Sequence, residues 1–175
     1  KMAAEHALVH YASGTVYSFI PKNGCSTMRL TLAIENACIA SPDEFAWIHP
    51  NNATFRASLQ ELVTANYTFA ILRCPFRRLA SAFLDKIVGR RGDFWQLHRH
   101  FGDQPNPDFL TFRQFVDLIA PEQVLALNIH WRPQTDFLVY QTYDDLFCIE
   151  RFNEVAPRLK EKSGLTLIDA RPYTK

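Results

Sequence analysis

Ser18-Phe19-Ile20-Pro21-Lys22-Asn23-Gly24-Cys25-Ser26-Thr27-Met28 is the stretch that decides the fold of this 175-residue chain. An apolar run from Val16 to Ile20, part of a strand expected over Thr15–Ile20, stops at Pro21. A lysine, a glycine and two hydroxyls follow. From Ser26 to about Ala40 the spacing of Met28, Leu32, Ala33 and Ala37 then predicts a helix packed on a sheet. Strand, small-residue turn, helix start is the order in which α/β proteins build a phosphate cradle. The turn aims main-chain N–H groups at one point, and the helix N-terminus adds partial positive charge there. Lys22 brings a full charge, and Ser26 and Thr27 bring hydroxyl donors.

Working outward, a second anion-seeking stretch is Arg73-Cys74-Pro75-Phe76-Arg77-Arg78-Leu79-Ala80-Ser81-Ala82-Phe83. It follows Tyr67–Leu72, which reads as a buried strand. Pro75 opens a helix whose inner stripe is Leu79, Ala82, Phe83 and Ile87, ending near Gly89. Ser58 with Glu61 predicts a capped helix to about Ala65, and Thr111 with Gln114 another that buries Phe112, Phe115, Val116 and Ile119. Leu146–Ile149 reads as a last core strand, and Asn153–Ser163 as an amphipathic helix stopped by Gly164.

Between these lie residues 41–57, expected as loop with an apolar patch Phe45–Ile48 ending at His49, and Arg90–Asp108, expected as a solvated basic excursion. Residues 1–14 are a poorly defined N-terminal segment in which His6 and His10 read as a solvated pair. Strands alternating with helices give an α/β class: a single domain over residues 1–175, with a mainly parallel central sheet flanked by helices. Ligands of such sheets sit at the carboxyl ends of the strands, where Lys22 and Arg73 both fall.

A net charge of +1 provides no global field to recruit nucleic acid or an anionic membrane surface, so any polyanion must be held by local clusters. Cys25, Cys38, Cys74 and Cys148 are scattered, with no CxxC pair and no Cys/His spacing suited to a metal. They read as reduced thiols, which points to a cytoplasmic location. No apolar run approaches the roughly 18 residues that span a bilayer, and Lys1–Glu5 lacks the apolar segment of a signal peptide. The pattern GxxxxGK[ST] is absent, since Lys22 precedes its glycine, and no carboxylate pair follows a strand to hold magnesium. Lysine and hydroxyls without a metal suit transfer of a group that needs less neutralising than a triphosphate.

Pro21-Lys22-Asn23-Gly24-Cys25-Ser26-Thr27 resembles the 5′-phosphosulfate loop of sulfotransferases. Arg73-x-Pro75-x-x-Arg78-x-x-Ser81-x-Phe83 resembles their 3′-phosphate motif, and Asn128-Ile129-His130-Trp131-Arg132-Pro133-Gln134 resembles the His-Trp-x-Pro-Gln stretch of the Golgi carbohydrate sulfotransferases. The likeness runs in order from about residue 15 to 155. It implies a P-loop-nucleotide-hydrolase-like sulfotransferase fold, PAPS as cofactor with PAP as product, and no metal. The implied reaction is in-line displacement of the sulfuryl group onto a hydroxyl of a carbohydrate or other acceptor.

On that resemblance Lys22 contacts the bridging and leaving oxygens, while Asn23, Gly24, Cys25, Ser26 and Thr27 hold the 5′-phosphate. Arg73 and Ser81 bind the 3′-phosphate, and Arg78 either helps or pairs with a carboxylate. His49 is the first choice for general base, because uronyl sulfotransferases of the superfamily carry a catalytic histidine in the same interval. His130 is its rival. Alternatively His130, Trp131 and Arg132 line the acceptor pocket, with the indole either stacking on a sugar or packing in the core. A membrane anchor lying outside these residues would place the protein in the Golgi lumen. Two other readings stand beside this one: a P-loop-like nucleotide kinase, and a non-catalytic PAP- or glycan-binding domain.

Overall fold

Ala7–His10 (β1), Thr15–Ser18 (β2), Tyr67–Leu72 (β3) and Asp145–Cys148 (β4) form one sheet in the order β1-β2-β3-β4. The computed structural model describes residues 2–51, 53–102 and 110–174. β1 runs antiparallel to β2, with Val9 opposite Val16, while β2–β3 and β3–β4 are parallel, with Tyr17 opposite Phe69 and Ile71 opposite Phe147. The class is therefore α/β with a mostly parallel sheet. Two compact units emerge: Lys1–Arg73 with Gln134–Lys175, and Cys74–Pro133.

In the sheet unit, successive side chains of a strand point to opposite faces. Leu8, Tyr17 and Phe69 join one core cluster with Met28 and Leu32 of the helix Cys25–Glu35, and with Val155 and Leu159 of the helix Phe152–Ser163. Ala7, Val9 and Val16 join another with Ala57, Leu62 and Val139. Each large apolar side chain so buried contributes about 1.5–3 kcal/mol, which fixes the strand register and with it the ends of β2 and β3.

β1 escapes the sequence because all four of its residues are buried, leaving no polar–apolar alternation to read. His6 and His10 are not a solvated pair. The His6 ring stacks on Phe19 and meets Phe137 edge-on, while His10 is 5% exposed with Nδ1 2.7 Å from Ser13 Oγ. Numbering helices in chain order, Met2–Glu5 is α1 and Cys25–Glu35 is α2. α2 stops short of the expected Ala40, since the Asn36 amide donates to Val9 O and accepts from Tyr11 N, and Ala37 lies beyond it at φ 55°. Where loop was expected, Pro42–Ile48 is a 3-10 helix with a Ser41/Glu44 capping box. Leu59–Val63 (α3) carries the expected Ser58/Glu61 box. β4 is an edge strand with Leu146 55% exposed, so it is not the core strand the apolar run predicts.

The second unit is helical. Pro75–Ala82 (α4) runs on into a π-helical turn, Phe83–Val88, followed by Gly92–Phe101 (α5), Phe112–Ile119 (α6) and Glu122–Leu125 (α7). The helix Phe152–Ser163 of the sheet unit is then α8, ended by Gly164 at φ 76°. Phe83, Ile87, Phe94, Leu97, Phe115, Ile119, Val124 and Trp131 make this unit's own core. The basic excursion expected from Arg90 is thus a helix as far as Phe101, its apolar positions 94, 97 and 101 recurring at helical spacing. The remainder of that stretch, 103–108, lies outside the described residues. Thr111 caps α6 as expected, but Phe112 is 40% exposed and only rests edge-on against Phe83.

Candidate active site

Where β2 ends, the chain turns through two left-handed positions, Lys22 at φ 72° and Gly24 at φ 74°. For lysine that conformation costs about 1–2 kcal/mol. Glycine adopts it freely, and a Cβ at position 24 would lie 3.0 Å from Ile149 Cδ1. Gly24 is the N-cap of α2 and supplies no side-chain cap. The first-turn N–H groups of Cys25, Ser26 and Thr27 therefore have no intrahelical acceptor and stand at the positive end of the helix dipole. An uncapped eleven-residue helix behind a lysine-bearing turn fits a phosphate.

Asn23 holds this turn from below. It is fully buried, and its Nδ2 donates to Ile71 O at 2.8 Å and to Gln134 Oε1 at 2.6 Å, while its Oδ1 has no partner. Gln134 also grips the main chain of Arg73 at two points, accepting from its N–H at 3.0 Å and donating to its carbonyl at 2.9 Å. Arg73 Nη1 then donates to Lys22 O at 2.8 Å. The ends of adjacent parallel strands β2 and β3 are thereby tied, which sets the Arg73 side chain beside the Lys22 main chain. One of five guanidinium donors is used on the main chain, which leaves four for an anion.

Ser26 and Cys25 are half-buried on the first turn of α2. Thr27 is 9% exposed, and its hydroxyl accepts from Ala170 N at 3.3 Å; Thr31 does the same for Ile168 N, so the segment after α8 is laced to α2. His49 follows the 3-10 helix, exposed, with its ring 5.3 Å from Phe45 in an edge-on contact.

In the helical unit, Arg78 is 5% exposed and donates through Nη1 to Arg132 O at 2.7 Å and through Nη2 to Ile129 O at 3.1 Å. It shapes the turn that carries His130. Arg132 Nη2 donates to Ala126 O. Of the two roles open to Trp131, the structure has the packing one: it is 4% exposed, its Nε1 donates to Val124 O, and it meets Phe115 edge-on. Ser81 is half-buried on α4.

His130 sits in a polar network. Its Nδ1 is 3.0 Å from Asp93 Oδ1 and 2.9 Å from Asn128 Oδ1. Asn128 Nδ2 donates to Asp93 Oδ1 at 2.7 Å and to Gln96 Oε1 at 2.9 Å. Lys86, on the π-helical turn, lies 3.6 Å from Asp93 and 3.3 Å from Asp85. Burial alone would raise the Asp93 carboxyl; hydrogen bonds from His130 and Asn128, with the charges of His130 and Lys86, outweigh it and hold the group well below the usual carboxylate range.

Three residues of these arrangements receive no role from the sequence: Asn128 and Gln134 stand at the two ends of the 128–134 motif, and Asp93 carries no local signal beyond the preference of a carboxylate for the first turn of a helix.

The chain belongs to the sulfotransferase family, whose profile matches residues 5–166. Among curated proteins it is similar to carbohydrate sulfotransferase 14 of Homo sapiens, 25% identical over 146 residues that cover 73% of this chain and 38% of the human protein. The Mus musculus protein of the same name gives the same figures. The Danio rerio protein is 22% identical over 191 residues, covering 94% of this chain and 50% of its own length. The chain thus spans half or less of the length of the curated relatives it matches. No solved structure matches it.

These relatives overturn the cytoplasmic expectation drawn from the cysteines: carbohydrate sulfotransferases are Golgi enzymes. Scattered thiols are a poor guide here because a cysteine can serve as a small apolar residue in either compartment. Among the described residues no helix is long and apolar enough to cross a membrane.

Proposed function

We propose that this chain carries the PAPS site of a sulfotransferase acting on a carbohydrate hydroxyl. PAPS, when bound, supplies a sulfuryl group joined to a 5′-phosphate that leaves as PAP in an in-line displacement. The observation that carries the reading is the tie between Lys22 and Arg73 at the carboxyl ends of two neighbouring parallel strands. Lys22 neutralises charge beside the uncapped start of α2, where preorganised donors are worth most. The main chain from Asn23 through Thr27 and the Ser26 hydroxyl hold the 5′-phosphate. Arg73 holds the 3′-phosphate, and Arg78 acts through the turn that it braces. The strand–loop–helix order is what supports a P-loop-like class for the sheet.

For the general base the reading favours His130 over His49. What supports it is the carboxylate and amide oxygen on Nδ1 of His130. Radiolabelled-sulfate transfer from PAPS across a panel of glycans tests the whole reading. Transfer to at least one glycan is expected, with Lys22→Ala cutting turnover about 100-fold. Tight PAP binding with no transfer to any acceptor would make the chain a binding domain instead. Loss of transfer in His49→Ala with His130→Gln active would reassign the base.

A further inference from the structure

The network around His130 fixes more than the position of its ring. The main-chain N–H of His130 donates to Asn128 Oδ1 at 2.9 Å. A main-chain N–H can only donate, so this bond settles which end of the Asn128 amide is oxygen. Asn128 Nδ2, at the other end, points at Asp93 Oδ1 and Gln96 Oε1, both acceptors. His130 Nδ1 therefore faces two oxygens that can only accept, Asn128 Oδ1 and Asp93 Oδ1. The neutral ring satisfies them only by carrying its proton on Nδ1, and its lone pair is then on Nε2, which has no protein partner among the described residues. The charged groups facing the ring from the elements around it are Asp93 on α5 and, behind that carboxylate, Lys86 and Asp85 on the π-helical turn.

We propose that Asp93 is a positioning residue for the reaction: with Asn128 it holds His130 as the Nδ1–H tautomer, so that Nε2 is the ring's one basic atom and receives the proton of the acceptor hydroxyl. This rests on His130 being the base. In the step, the hydroxyl O–H bond breaks, an Nε2–H bond forms, and the electron pair left on oxygen becomes the nucleophile. His130 becomes an imidazolium whose charge is offset by the Asp93 carboxylate, and the ring returns its proton to solvent afterwards. Asp93 touches neither substrate nor reacting atom; it acts through the ring.

Two measurements on the whole chain test this. Long-range proton–nitrogen NMR of uniformly nitrogen-labelled protein, at a pH where the ring is neutral, is expected to show His130 protonated on Nδ1. An Nε2–H pattern would overturn the proposal whatever the activity. Steady-state sulfate transfer with Asp93→Asn is expected to lose about 100-fold in kcat with acceptor KM within twofold, since a misheld base weakens the chemical step and not binding. Unchanged kcat in a variant whose melting curve shows it folded would also overturn it. His130→Gln separates the premises: if that variant stays active, the base reading fails, while the tautomer measurement still stands on its own.

Discussion

The turn of residues 21–27 and the turn of residues 128–132 are prepared for chemistry by opposite means. In the first, main chain does the work: left-handed φ at Lys22 and Gly24, an uncapped α2, and a buried Asn23 bound to Ile71 O. In the second, side chains gathered from three places do it: Asp93 on α5, Asn128, and Arg78 reaching the Ile129 and Arg132 carbonyls from α4. A main-chain device depends on residues adjacent in sequence and on the strands that aim them. A side-chain device depends on partners far apart in the chain, and a single carboxylate can decide it. The first should therefore fail through the packing beneath it, and the second through one charge.

Phe69→Ala is the most severe test of the first half. Phe69 is fully buried on β3, its ring stacked with Tyr17 of β2 at 4.9 Å and with Tyr67 of its own strand at 5.8 Å. Truncation is expected to cost about 3–5 kcal/mol in denaturant unfolding. A loss under about 1 kcal/mol would mean that the sheet core does not set the loop.

For the second half, Asp93→Asn is expected to cost about 1.5–3 kcal/mol near neutral pH, the worth of hydrogen bonds to a charged group. The sign with pH follows from the lowered carboxyl. A group depressed in the folded state stabilises above its unfolded value, about 3.9, and loses that contribution as pH falls through the folded value. The stability gap between the native protein and the variant should accordingly be full at pH 6 and shrink steadily below pH 4. A gap that widens below pH 4 would contradict the ion-pair reading of Asp93.

Gln134→Ala sits between the two kinds of device, because one side chain there holds main chain. It removes both bonds to Arg73 and leaves Asn23 Nδ2 with Ile71 O alone. We expect about 1–3 kcal/mol of destabilisation and a weaker PAP affinity by calorimetry. Unchanged PAP affinity would uncouple the clamp from the phosphate loop.

The same contrast explains what the sequence disclosed. Strand β3, the start of α4 at Pro75 and the Lys22–Thr27 turn were legible because each is written in consecutive residues with its own stop signal. β1 was not, for lack of alternation, and α5 was not, because three apolar positions lie among basic and histidine side chains that mimic a solvated loop. The site was legible to the same extent. Lys22 and Arg73 follow strands and so announce their place, whereas Asp93 becomes informative only once α5 has carried it to His130. Even the 3-10 helix at Pro42–Ile48 had a signal, Ser41 and Glu44 at capping-box spacing, masked by the turn reading of Ser41-Pro42-Asp43.

Capping boxes give the smallest effect and the cleanest control, since each unit holds one whose helix is expected from spacing alone. Ser58 Oγ accepts from Glu61 N at 3.3 Å, and Thr111 Oγ1 from Gln114 N at 3.3 Å, with the Glu61 and Gln114 side chains returning to the N-cap N–H. Ser58→Ala and Thr111→Ala should each cost about 1 kcal/mol, because each strands one orphan N–H of a helix start in water without its cap. Neither side chain touches the phosphate turn or the His130 network, so PAP affinity and the His130 tautomer should stay as they are in the native protein. If Thr111→Ala alone disturbed the tautomer, the polar network would depend on the packing of α6 through Phe115 and Trp131 as much as on Asp93. The division between a packing-set turn and a charge-set turn would then be one of degree.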